Sequence, residues 1–172
     1  AAGYAWALEH GYAFCGRVNA DGQHPAWELA RLLALVKSDQ CDVAVGSRFV
    51  SGDGYAPYRY RPSSSRRLGT AVLRRGMGLV LRRPFGDATS GLYAVNAKAL
   101  PLLAEEFTTE APEVEALIRI VDAGLRLEEV PVDMSPRAVG ESKLRGGKAV
   151  KIVLTVAGAL VAAKLLQSRR SR

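Results

Sequence analysis

An α/β fold follows from three features of the sequence. Short apolar runs that read as strands alternate with stretches of helical periodicity. Three polar loops begin where apparent strands end, after Val18, Gly46 and Met134, and ligands gather beyond the carboxyl ends of strands in parallel sheets. Of the 172 residues, 48% are apolar, enough for one domain with a real core and too many for a disordered chain. Together they predict a mostly parallel sheet flanked by helices.

The elements follow in order. Ala2–Glu9 reads as a helix closed by Gly11, and Tyr12–Val18 as a strand. Pro25 suits the first turn of a helix through "PAWELARLLALVK". "DVAVG" reads as a short buried strand. The stretch "SRFVSGDGYAPYRYRPSSS" is a loop too long for a plain connector. Residues 65–81 read as helix, "RRPFGDATSG" as a turn-rich loop, and Leu92–Val95 as a strand. Pro112–Ala123 is helical and Leu125–Met134 extended. "SPRAVGESKLRGG" is a polar loop, and Val150–Leu166 is a final apolar helix. Trp6 and Trp27 read as packing residues, and Glu129 as structural.

Charge is uneven. Residues 137–172 hold nine Lys/Arg against one acid, Glu141, so this tail accounts for the net charge of +7. A second block, Arg59 to Arg83, has eight arginines and no acid. Such segments suit anionic partners: phosphates, nucleic acid or a membrane surface. Cys15 and Cys41 lie in or beside apolar runs and read as reduced, buried thiols, without the Cys/His spacing of a zinc site.

The stretch "VNADGQHP" carries the first chemistry. Asp21 is an anionic oxygen ligand, and Asn19 and Gln23 offer amide oxygens, the donor set that Mg²⁺ or Mn²⁺ takes beside substrate phosphates. Equally, Asp21 and Asn19 fit an Asx turn and a cap for the helix at Pro25, and both readings stand on spacing alone. Arg48, Arg59, Arg61 and Arg66 lie in or beside the long loop, and Arg137 and Lys143 in "RAVGESK"; guanidinium forks match phosphate oxygens. Gly140 lets backbone approach a ligand closely, and Ser142 can donate a hydrogen bond. His24 and Glu115 are lesser candidates.

The series "NADGQHP", "DVAVGSRF", "RPSSSR", "DATSGLYAVNAKAL", "EVEALIRIVDAGLRLEEVPV" and "RAVGESKL" resembles the family 2 glycosyltransferases, most of all the dolichyl- and polyprenyl-phosphate sugar synthase branch. The motifs stand in the family's order and cover most of residues 3–144. The resemblance implies the GT-A nucleotide-sugar fold and an inverting, metal-dependent transfer from a nucleoside diphosphate sugar to a polyprenyl phosphate. It implies a D-x-D-type metal turn whose second acid is Asp21, whose glutamine is Gln23 and whose first acid is replaced by Asn19. Arg137, Ser142 and Lys143 match a loop that closes over the donor and acceptor phosphates. "DATSG", with Asp87 and Ser90, matches a loop beside the acceptor, where Asp87 orients the acceptor or serves as a base.

Two departures qualify this. Asn19 removes a negative charge from the metal turn. The family's opening strands, which hold the nucleotide base and ribose, have no counterpart, so the chain is expected to be a fragment, inactive alone. Residues 1–147 are then a partial GT-A domain, and 148–172 a basic helix and tail. That helix, apolar over Ile152–Ala163, is shorter than the roughly 20 residues a bilayer requires. It suits the membrane interface or docking on the domain. The expected setting is cytoplasmic, peripheral to the cytoplasmic face of a membrane. Nucleic acid is not an expected partner, since Tyr55, Tyr58 and Tyr60 form the one close aromatic cluster, short of a single-strand-binding platform. A non-catalytic basic module, or a transferase with a saccharide or small-metabolite acceptor, stays open on the sequence alone.

Overall fold

The computed structural model describes residues 1–52, 54–55, 74–79, 81–107, 112–135 and 158. Helix α1 (Ala2–Glu9) leads to strand β1 (Phe14–Arg17), helix α2 (Ala26–Lys37) and strand β2 (Val43–Ser47). Residues 74–79 are helical. Strand β3 (Tyr93–Asn96) is followed by the short helix α3 (Leu100–Ala104), helix α4 (Pro112–Asp122) and strand β4 (Leu127–Pro131). Helix α3, with Pro101 in its first turn, has no counterpart in the sequence reading. Arg61, Arg66, Arg137, Gly140, Ser142, Lys143 and the whole 148–172 segment, except for the helical Gly158, lie outside the described residues. Among the described residues, no helix is long and apolar enough to cross a membrane.

The four strands form one sheet in the order β1-β3-β2-β4. The expectation of a mostly parallel sheet is corrected here. β3 pairs antiparallel with both β1 and β2, and only β2 and β4 pair in parallel. The reason is one reversed strand. β1, β2 and β4 share a direction, and β3 enters between β1 and β2 the other way. The register sets Tyr93 opposite Arg17 and Val45, and Ser47 opposite Pro131. The exits of three strands and the entrance of the fourth therefore lie on one sheet edge.

Strand alternation divides the core. Val43, Val45, Tyr93 and Val95 face one side, with Leu100, Leu103, Leu117 and Ile120 of α3 and α4. Ala44 and Ala94 face the other, where their small side chains admit Leu32 and Val36 of α2. Both faces of β2 are covered, so its sequence is apolar throughout rather than alternating. Helix α4 presents Val114, Leu117 and Ile118, spaced i, i+3, i+4 on one face, to this core. Trp6 and Trp27, read as packing residues, are instead each 52% exposed; Trp6 stacks on His10 with ring centroids 4.1 Å apart. Cys41 is buried and Cys15 partly so, both as free thiols, and burial pushes the Cys41 thiol up to about 11.

The sheet edge away from the three exits is locked by Asp42. Its carboxylate accepts from Arg126 Nε (3.1 Å), the Arg126 amide (2.9 Å), Asn96 Nδ2 (2.8 Å) and Lys98 Nζ (3.2 Å). Bonding to the Arg126 side chain, more than any other contact, holds the Asp42 carboxyl well below the ordinary carboxylate range, against the opposite push of burial. A carboxyl lowered in the folded state adds stability that is complete above about pH 4 and fades as pH falls towards its folded value. Asp42→Asn is thus expected to cost about 2 kcal/mol at pH 7. The gap to the parent should narrow below pH 4 in urea denaturation.

Candidate functional site at the strand-exit edge

Four chain passages meet at the edge defined by the exits of β1, β2 and β4. The first is the turn after β1. Gln23 N donates to Asp21 Oδ1 at 3.2 Å, which closes an Asx turn. Pro25 holds the N-cap position of α2, and no side chain caps that helix. The Asx turn is therefore present, while the capping role considered for Asp21 and Asn19 is not.

The second and third passages are joined by an ion pair. Arg48, just past β2, lays its guanidinium on Asp87 in a fork, Nε to Oδ2 and Nη2 to Oδ1 at 2.7 Å each. The Arg48 amide adds a bond to Oδ2 at 3.2 Å, and Thr89 Oγ1 donates to Oδ1 at 3.2 Å. The Asp87 side chain is fully buried. Its loop is fixed from below by Glu129 of β4, whose carboxylate accepts from the amides of Gly86 and Asp87 at 2.7–2.9 Å. A Cβ at Gly86 would stand 2.8 Å from Glu129 Oε1, so only glycine leaves room for this contact. Ser90 is buried, and its Oγ accepts from Leu92 N at 3.2 Å, which shapes the loop from within. At Gly91 a Cβ would come within 2.3 Å of the Asn19 amide group; Asn19 thus lies directly on the Gly91 backbone and joins the first passage to the third.

The fourth passage leaves β4. Val132 N donates to Ser47 O (3.1 Å), and Ser135 N to Gln23 O (2.9 Å). Gln23 Nε2 returns a long bond to Ser135 O at 3.4 Å. The segment that precedes Arg137 in sequence therefore runs against the glutamine of the metal-type turn.

Glu28 anchors this passage, and sequence reasoning missed it. It is fully buried, accepts from Asp133 N at 2.7 Å and takes Arg31 Nε and Nη2 at 3.1 and 3.0 Å. Arg31 also bonds Pro131 O and lies over the Tyr55 ring, 4.5 Å from its centroid. The signal was present: Glu28, Leu32 and Val36 share one i, i+4, i+8 stripe of α2, so an acid occupies a core position. Glu115, by contrast, pairs with Arg119 at 2.7 Å within α4.

His24 stands where these passages meet. Burial holds its imidazole below the ordinary value. Asp21 and Asp87 pull it up and Arg48 pushes it down, so all three lie near enough to act on its charge. The structure thus brings together Asp21, Gln23, Asn19, Arg48, Asp87 and Ser90 around one edge. Among the described residues no group of three or more His, Cys, Asp or Glu side chains gathers as a metal cluster.

No protein-family model matches the chain. Curated proteins do. An undecaprenyl-phosphate mannosyltransferase of Micrococcus luteus is 34% identical over 161 residues, 90% of this chain and 63% of that protein. The chain is a homologue of the polyprenyl-phosphate mannosyltransferases, which are family 2 glycosyltransferases. A polyprenol monophosphomannose synthase of Mycolicibacterium smegmatis is 28% identical over 159 residues, 91% of the chain and 58% of that protein. A dolichol-phosphate mannosyltransferase of Pyrococcus furiosus is 30% identical over 134 residues, 75% of the chain and 35% of that protein. The chain spans a little under two thirds of the length of the first two of these mannosyltransferases.

Replacing Glu129 with alanine removes the acceptor of the Gly86 and Asp87 amides. The expected loss is about 2 kcal/mol in urea denaturation, with hydrogen exchange at residues 86 and 87 accelerating before that of the strands.

Proposed function

We propose that this chain carries the catalytic edge of a GT-A transferase that moves mannose from a nucleoside diphosphate sugar to a polyprenyl phosphate. The observation that carries the reading is the meeting of the Asp21 turn with the Arg48–Asp87 pair, joined where Asn19 lies on the Gly91 backbone, in a homologue of proteins named as polyprenyl-phosphate mannosyltransferases.

The turn fits a hard divalent ion in kind. Asp21 supplies a carboxylate and Gln23 an amide oxygen, and Mg²⁺ takes one or two carboxylates and completes its shell with substrate phosphates and water. Asn19 adds a second amide oxygen in place of a charge. Bound there, Mg²⁺ or Mn²⁺ would neutralise charge on the departing diphosphate. Arg48, aimed by its fork on Asp87 and by Thr89 Oγ1, sets a guanidinium at this edge, and guanidinium groups suit phosphate oxygens. Asp87 is engaged by that fork, so its part is to aim Arg48 rather than to abstract a proton. No strong base is required. The phosphate oxygen of a polyprenyl phosphate is already anionic, and it attacks the sugar's anomeric carbon as the bond to the diphosphate breaks on the opposite face. Arg137 and Lys143 are assigned to the same phosphates, and Arg61 and Arg66 to the loop above them. The lipid acceptor implies work at a membrane surface, for which the basic 148–172 segment is suited. The rival reading, a non-catalytic basic module, rests on segments outside the described residues, and nothing in the corner favours it.

The test uses protein expressed from its full open reading frame, with GDP-mannose or UDP-glucose and a polyprenyl phosphate. Mannosyl transfer that stops with EDTA and returns with Mg²⁺ or Mn²⁺ is expected. Asp21→Asn should lower kcat/KM by about a hundredfold or more. Transfer that is unaffected by EDTA, or by Asp21→Asn, defeats the metal assignment, and no transfer from either donor defeats the enzyme reading.

A further inference from the structure

One polar atom of the corner has nothing to bond. His24 Nδ1 is shut off from solvent and has no hydrogen-bond partner, alone among the buried side-chain nitrogens and oxygens of the described residues. Buried polar atoms are bonded in the large majority of cases, so an orphan needs a cause. Leaving one unmade costs on the order of 1–3 kcal/mol. Each buried acid nearby is fully served: Asp87 by Arg48, Glu28 by Arg31 and the Asp133 amide. The deficit is confined to the one ring that stands among Asp21, Arg48 and Asp87.

His24 ends the 19–24 turn, whose backbone is tied to the β4 exit by Ser135 N on Gln23 O at 2.9 Å. Two bonds made by its side chains, Gln23 N to Asp21 Oδ1 at 3.2 Å and Gln23 Nε2 to Ser135 O at 3.4 Å, lie at or beyond the long end of the hydrogen-bond range. Gly22 sits at φ 72°, a left-handed conformation that glycine enters and leaves without penalty. A change of conformation at Gly22 would let the turn re-form around a ligand and uncover Nδ1. A hydroxyl both donates and accepts, so it would satisfy Nδ1 whichever nitrogen of the neutral ring carries the proton.

We propose that His24 is a substrate-contacting residue, its Nδ1 taking a hydroxyl of the bound nucleotide sugar once the 19–24 turn opens onto it. This deepens the transferase reading and rests on it. The hydroxyl belongs either to the sugar or to the ribose, and the experiment separates the two.

The imidazoles of protein expressed from its full open reading frame are followed by nitrogen-15 spectroscopy, and His24→Gln identifies the His24 resonances by their loss. The probes are Mg²⁺ alone, GDP with Mg²⁺, and GDP-mannose with Mg²⁺. The Nδ1 resonance should stay in place with Mg²⁺ alone and move with GDP-mannose. Movement with GDP as well assigns the ribose hydroxyl; movement with GDP-mannose only assigns the sugar. An unmoved Nδ1 while GDP-mannose shifts other resonances overturns the proposal and leaves the transferase reading intact. GDP-mannose that shifts nothing overturns both. Kinetics supply a second arm. His24→Asn keeps an amide where Nδ1 stands, and His24→Gln places it where Nε2 stands. Gln and Ala should raise KM for GDP-mannose about tenfold, while Asn stays within about threefold. Equal losses for Asn and Gln, or none for Ala, overturn the proposal.

Discussion

The reversed strand β3 is the constraint on which the site depends. Parallel strands alone would bring their exits to one edge and send every entrance to the other. β3 breaks that rule by running backwards between β1 and β2. The loop before it, residues 86–91, therefore opens on the same edge as the exits of β1, β2 and β4. Asp87 can meet Arg48, and Gly91 can support Asn19, because of that reversal. The pairing is secured from the core. Tyr93 and Val95 face the helices α3 and α4 while Ala94 faces α2, so a one-residue slip of β3 would exchange large side chains for small on both faces at once.

The three buried acids of the described residues follow one pattern. Asp42, Glu28 and Asp87 each take the guanidinium of an arginine and one backbone N–H donated from near a strand end: Arg126, Asp133 and Arg48 respectively. Such pairs add little net stability, because the Coulombic gain is spent against desolvation. What they do is fix position. A carboxylate that binds a side chain from one element and an amide from another tolerates little drift of either. Asp42 does this at the edge away from the three exits, where nothing else is required. Glu28 and Asp87 do it at the opposite edge, and with Glu129 they leave the loops around the metal-type turn few degrees of freedom. The turn itself carries a left-handed glycine, Gly22 at φ 72°, and is tied to the β4 exit by Ser135 N on Gln23 O at 2.9 Å.

Much of this was legible in the sequence. Helices α1, α2 and α4 and all four strands were placed within a few residues, α2 and α4 by the apolar stripes they bury and β2 by its continuous apolar run. The strand-end loops marked the edge, and Asp21 and Arg48 were named from it, while Asp87 was named from the resemblance of "DATSG" to a family loop. What the sequence did not carry was non-local. Nothing local to "LYAVNA" says that this strand runs opposite to its neighbours, because alternation is blind to direction. Helix α3 is too short for its period to register. The clamp of Glu129 on Gly86 joins residues 43 positions apart; the acid could be read as structural, but its partner could not be named. Trp6 and Trp27 misled because large aromatic residues are commonly well buried. His24 was discounted because an isolated histidine beside a metal-type turn carries no period; only its surroundings, three charged groups and an unmet nitrogen, give it weight.

Asn19 gains meaning from the same geometry. A carboxylate there would lie against the Gly91 backbone with Asp21 in the same turn and the Asp87 loop alongside, adding a third carboxylate to the edge. The amide keeps an oxygen in that place without the repulsion. Charge for a divalent ion would then come from one protein carboxylate and from the substrate's own phosphates. Such a site holds the ion weakly until the donor arrives and firmly afterwards, because most of the neutralising charge arrives with the donor. Metal and nucleotide sugar would then bind as a unit.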